Sequence, residues 1–243
     1  MEPHQFVDRF FLSQSKLVDQ TKAEERDSNT LYTFLNCLHT AGDRLKEDFA
    51  CDIRKHPEFK LLRIIRNYFH HVGDVESVQL KICIKPGVAA SHSEHLIIPL
   101  ETFARSVRSF IEKNTLPPDN RTAAKKKAFV DAELYSISEI YDYTADLLAN
   151  LELFCNKPSL KLDGVVHELG CDIFKFVFNI TNIVADECRA INELSQKTVV
   201  AQIDRSFTAT NNMKKRDLIC LPDLVPVTTT KGFAYFKTVE LAI

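Results

Sequence analysis

The chain has 243 residues, 45% of them apolar and 26% charged, with a formal net charge of −2 and an isoelectric point near 6.5. That length can bury a real core, in one large domain or two small ones. The near-neutral balance excludes a global electrostatic pull toward nucleic acid or anionic lipid, so any polyanion contact must come from local basic patches.

No run approaches the roughly 18 consecutive apolar residues of a membrane span. Met1-Glu2-Pro3-His4 does not begin a basic-then-apolar leader, so a cytoplasmic protein is expected. Seven cysteines lack any Cys-x-x-Cys pair and read as reduced thiols, most of them small core residues. Six glycines in the whole chain suit helices better than a turn-rich β fold.

Phe6, Phe10, Phe11, Leu17 and Val18 mark a first helix within about 4–23. Ser28 or Asn29 can cap a second, whose stripe runs through Leu31, Phe34, Leu35, Leu38, Ala41, Leu45 and Phe49. Pro57 suits the first turn of a third, continued by Leu61, Leu62, Ile65, Tyr68 and Phe69 and ended by Gly73. Val78, Leu80, Ile82 and Ile84 then alternate with polar residues, Lys85-Pro86-Gly87 is a turn, and Glu94 to Pro99 is a return strand. A β-hairpin inserted over about 77–99 follows, then a short helix from Glu101 to Lys113.

Pro117-Pro118-Asp119-Asn120 lies in the best linker, a candidate sub-boundary at 115–123. Two long helices are expected within 124–196. Val130, Leu134, Ile137, Tyr141, Thr144, Leu148 and Leu151 mark the first. Val166, Leu169, Ile173, Phe176, Ile180 and Ile183, after Pro158, mark the second. The tail has candidate strands at Val199–Ile203, Leu218–Leu221 and Phe233–Val239. The expected fold is mainly α: a helical bundle in a single domain, with a small inserted β-hairpin and an irregular, partly β C-terminal tail.

The chemistry concentrates in Arg66-Asn67-Tyr68-Phe69-His70-His71, at the end of the third helix. Arg66 is a permanent cation with forked donors suited to phosphate oxygens. His70 or His71 can exchange a proton near neutral pH, and Asn67 can orient a neighbouring ring. These parts suit RNA cleavage by attack of the 2′-hydroxyl, with an imidazole as base and the arginine stabilising charge on the phosphate. On an ideal helix His70 lies roughly 40° from Arg66 and His71 roughly 140° away, so helix geometry alone pairs Arg66 with His70.

Arg-Asn, three residues, then His, near the end of a helix in a helical domain, resembles the HEPN (higher eukaryotes and prokaryotes nucleotide-binding) superfamily. The resemblance is secure over about twelve residues, Leu62 to Gly73, and extends to the flanking helices from 4. It implies a metal-independent endoribonuclease without cofactor, with Arg66, Asn67 and His71 as catalytic residues and His70 secondary. It also implies a homodimer with a composite site, in which the arginine of one chain works with the histidine of the other. The setting it suggests is bacterial phage defence or a toxin–antitoxin pair, with an antitoxin or other protein as partner.

Arg63 falls one turn before Asn67, where it can touch phosphate or form an ion pair. Lys125, Lys126 and Lys127, and Lys214, Lys215 and Arg216, are candidate RNA contacts or solvated cations. His92, Glu94 and His95 are too few for a zinc site, so no metal is expected. Cys171 and His167, read as i,i+4 on a helix, suit a core better than a Cys-His nucleophile. No Gly-rich phosphate loop indicates an ATPase. Two other readings are a catalytically inactive HEPN-like module that binds RNA or protein, and a scaffold built on the 124–196 helical hairpin.

Overall fold

The computed structural model describes residues 3–19, 28–72, 79–82, 88–90, 94–115, 120–138, 144–162, 164–213, 218–220 and 225–236. The fold is mainly α with small antiparallel sheets. α1 (Gln5–Val18), α2 (Ser28–Phe49) and α3 (Pro57–Val72) follow the three expected apolar stripes. Phe10 of α1 meets Phe34 of α2 at 5.8 Å between ring centroids, both rings fully buried. Gly42 sits in mid-helix, where glycine costs about 0.5–1 kcal/mol relative to alanine. The reason is Phe59 of α3: a Cβ on Gly42 would stand 2.6 Å from its ring. The missing side chain lets α3 lie close against α2, and this packing carries the motif.

β1 (Gln79–Ile82) pairs antiparallel with β3 (Glu94–Pro99), Leu80 opposite Leu96, as the alternation predicts. Val78, Ile84 and the Lys85-Pro86-Gly87 turn lie outside the described residues, as does Gly73. β3 is central, with β6 (Gly170–Asp172) on its other side, and it buries Leu96, Ile97 and Ile98. The Asp172 carboxylate accepts from the Leu96 and Phe174 N–H groups at 3.0 and 2.9 Å and holds His95 Nδ1 at 2.7 Å. It thereby ties this sheet to the start of α8 (Phe174–Ala190). β2 (Val88–Ala90) pairs with β7 (Leu218–Cys220). β8 (Val225–Thr229) pairs with β9 (Gly232–Phe236), so the tail does contain strands.

α4 (Leu100–Thr115) is the expected short helix. The two long helices are corrected. The first is α5 (Asn120–Ser138), followed by α6 (Thr144–Ala149) and α7 (Leu151–Phe154). Its apolar spacing survives the breaks because Leu147, Leu148 and Leu151 still pack on the core. The second begins only at Phe174. Residues 159–172 instead form β4 (Ser159–Leu162), β5 (Val165–Glu168) and β6. Gly164, at φ 81°, turns β4 into β5, and the β-branched pair Val165-Val166 favours the extended chain. His167 and Cys171 therefore lie on strands and do not share a helix face. The strand expected at Val199–Ile203 is also corrected: α10 (Thr198–Gln202) follows α9 (Asn192–Ser195), and Val200 is buried in the core.

Candidate functional site

α3 is helical through Val72, so the motif is not unwound before its last described residue. Its apolar face, Leu61, Leu62, Ile64, Ile65 and Phe69, is buried. Arg66 and Asn67 are half-buried at the edge of that face, and His70 and His71 are exposed beyond it.

Arg66 is held from two sides. Its Nε donates to Asn36 Oδ1 of α2 at 3.0 Å, and Nη1 donates to Asn67 Oδ1 at 3.2 Å. Arginine has donors only, so each amide must present its oxygen. Through Oδ1, Asn67 therefore orients the arginine. His70 Nδ1 lies 3.2 Å from the Tyr32 hydroxyl of α2. The rings of His70 and His71 meet edge to face at 4.9 Å.

Charge distinguishes Arg66 from its neighbours. Four described arginines are half-buried: Arg54, Arg63, Arg66 and Arg189. Arg54 pairs with Asp43 and Asp52, Arg63 with Glu133, and Arg189 with Asp186. Arg66 has no carboxylate partner among the described residues. Its cation is fixed in direction by neutral amides and keeps its net charge.

The His71 pKa is lowered below the ordinary histidine value, first by the positive charge of Lys113 on α4, then by partial desolvation, His70 and Arg66. An imidazole beside these cations loses its own proton more readily, which suits a base. His39, half-buried on α2, is lowered mainly by burial; Arg66 and Arg63 lower it further, against Asp43 at 3.1 Å.

Lys113 near His71 places the C-terminal ends of α3 and α4 together. α5 returns antiparallel: Phe110 of α4 meets Phe129 of α5 at 6.2 Å, and Glu133 of α5 reaches Arg63 at 2.7 Å. Residue 125 stands as far before Glu133 as residue 71 stands after Arg63. The start of α5, with exposed Lys125 and Lys127 and half-buried Lys126, thus lies at the motif's end of the bundle. Lys214, Lys215 and Arg216 lie outside the described residues.

Arg63 takes the second of its two expected roles, the ion pair. Glu133 is buried and is also 3.0 Å from Lys60 Nζ, so one carboxylate joins α5 to two cations of α3. Sequence reading missed Tyr32, Asn36 and Lys113. The signal for them was small: Tyr32 and Asn36 are polar residues four apart, flanking the α2 stripe.

Among the described residues no group of three or more His, Cys, Asp or Glu side chains is placed to hold a metal ion, and His92 lies outside them. No described helix is long and apolar enough to cross a membrane. A 330 Å³ cleft between α1 and α10 and a 530 Å³ cleft between the β4–β5 and β8–β9 hairpins contain no motif residue. No family model, curated protein or solved structure matches this chain.

Proposed function

We propose that this chain is a metal-independent endoribonuclease of the HEPN type, with Arg66, Asn67 and His71 at its site. The observation that carries the reading is Arg66: a half-buried guanidinium held by two amide oxygens, without a carboxylate among the described residues, beside two exposed histidines. A fixed, uncompensated cation is built for an anion, and forked donors fit phosphate.

In this reading the neutral His71 imidazole takes the proton from an RNA 2′-hydroxyl. The 2′-oxygen attacks the adjacent phosphorus, Arg66 stabilises charge on the non-bridging oxygens, and the bond to the 5′-oxygen breaks. The products are a 2′,3′-cyclic phosphate and, once the leaving oxygen is protonated, a 5′-hydroxyl. Because α3 is regular, His71 and Arg66 of one copy stand on different faces. A homodimer that sets Arg66 of one copy against His71 of the other resolves this. Lys125 and Lys127 extend positive charge beyond the site for the rest of the strand. The resemblance suggests a cytoplasmic role in phage defence or a toxin–antitoxin pair.

The test is cleavage of a structured RNA by purified protein in EDTA, with end analysis. Cyclic phosphate ends in wild type, lost in both Arg66→Ala and His71→Ala, are expected. Equal cleavage by all three proteins overturns the mechanism.

One observation favours a second reading, a catalytically inactive module that binds RNA or protein. The exposed His71 ring has no hydrogen-bond partner among the described residues, so only its edge-to-face contact with His70 bears on its direction. RNA binding without turnover, unchanged by His71→Ala, decides for that reading.

A further inference from the structure

We propose that Tyr32 and Asn36 of α2 are positioning residues for the α3 site, Asn36 aiming the Arg66 guanidinium at a phosphate oxygen and Tyr32 setting the His70 ring. The proposal rests on the phosphate-binding reading of Arg66 given above.

The geometry is a ladder. Tyr32 and Asn36 are four residues apart and share one face of α2; Arg66 and His70 are four apart and share one face of α3. The helices are antiparallel, so the rungs are Asn36 with Arg66 at 3.0 Å and Tyr32 with His70 at 3.2 Å. His39 lies one turn further along α2, where burial first, and then Arg66 and Arg63 against Asp43, lower its pKa. Close packing at Gly42 and Phe59 holds the frame.

A simple clasp between helices does not require this choice of residue. Arg54 and Arg63 are clasped across elements by carboxylates, which cancel their charge, and Arg189, which donates to the backbone carbonyls of Asp204 and Phe207, still has Asp186 of its own helix at 3.4 Å. Asparagine at position 36 offers the same acceptor without the charge. It orients the guanidinium through Nε and leaves the cation available to a ligand. Asn67 repeats the device at Nη1. On the other rung, a hydroxyl bound at His70 Nδ1 leaves Nε2 as the ring's free polar atom and fixes the ring against which His71 packs.

The test uses the full chain and an RNA oligonucleotide methylated at every 2′-oxygen, which binds but cannot be cut. Its affinity is measured by fluorescence anisotropy at fixed low salt for wild type, Asn36→Asp, Asn36→Ala and Arg66→Ala, with the melting temperature of each. Asn36→Asp keeps the acceptor and neutralises the cation. It is expected to weaken binding about tenfold, the worth of roughly one charge-assisted hydrogen bond, with an unchanged or higher melting temperature. Asn36→Ala, which removes the orienting acceptor and adds no charge, is expected to weaken binding less and serves if the aspartate variant does not fold. Tyr32→Phe is read by the ring-nitrogen chemical shifts of His70, which report its tautomer and should change; shifts as in wild type overturn the role of Tyr32. Wild-type affinity in both Asn36 variants, with Arg66→Ala impaired, overturns the positioning role alone. Equal affinity in wild type and Arg66→Ala overturns the reading of the site and this proposal with it.

Discussion

Arg63 and Arg66 stand on neighbouring turns of α3 and are treated in opposite ways. Arg63 meets Glu133 at 2.7 Å, in a side-chain environment 27% and 11% exposed for the two partners, and Lys60 shares that carboxylate. Among the described residues Arg66 meets only amide oxygens. The first arrangement holds α5 against α3: removing one partner from a buried carboxylate leaves a charge that water no longer solvates well. The second joins α3 to α2 through a neutral amide and leaves the charge uncancelled. The chemical type of a residue does not separate the two roles. The charge on its partner does.

The largest test of this contrast removes each arginine in turn. Arg66→Ala is expected to reduce kcat for RNA cleavage by about 10²- to 10³-fold, the usual loss for one group that stabilises developing charge. It should cost less in unfolding free energy than Arg63→Ala, about 0.5–1.5 kcal/mol, because its partners are neutral amides and no buried charge is left unpaired. Arg63→Ala is expected to cost about 1.5–3 kcal/mol in chemical denaturation, the range for a hydrogen bond to a charged group. Lys60 retains part of the Glu133 interaction and sets the lower end. If the two variants exchange these phenotypes, the contrast is wrong.

Half of this site was legible in the sequence. The stripes of α1 to α4 gave element type and approximate ends, because three-to-four spacing on a half-buried helix leaves little ambiguity. The alternation at Leu80 and Ile82 marked β1 as a strand, and its pairing with β3 is the expected one, but the partners β6 and β7 come from distant sequence. The same spacing rule failed at 159–172. Val166 and Leu169 fall at helical steps, yet they belong to a segment of short strands, in which exposed Val165 and Val166 spoil a clean two-residue alternation. Gly164 was the stronger signal. At 199–203 tertiary burial of Val200 prevailed over the strand preference of valine. For the site, Arg66 and the histidines were readable because they lie within one short run. Asn36, Tyr32 and Lys113 were not, since each becomes a neighbour only through the packing of α2 and α4 on α3.

A smaller effect tests where the substrate strand leaves the site. Replacing both Lys125 and Lys127 with alanine should weaken binding of the uncleavable RNA at low salt. It should flatten the slope of log affinity against log salt by about 0.7 for each phosphate that the variant no longer neutralises, the value for single strands. Lys60→Ala removes a cation already engaged by Glu133, and the slope should stay as in wild type. An unchanged slope in the double variant directs the strand elsewhere.

The smallest effect is a displacement of a pH profile. Lys113 is the first cause of the lowered His71 pKa, followed by partial desolvation, His70 and Arg66. A lowered pKa keeps the imidazole neutral, and able to accept a proton, to more acid pH than an ordinary histidine. Cleavage that depends on this base should therefore persist below pH about 6.5, the ordinary histidine value, and fall as pH drops through the depressed one. In Lys113→Ala the main depressing charge is gone, the His71 pKa rises, and the acid limb of kcat/KM moves to higher pH. Lys113→Arg keeps the charge and should keep the limb. A limb that ignores both substitutions assigns the base to a group other than His71.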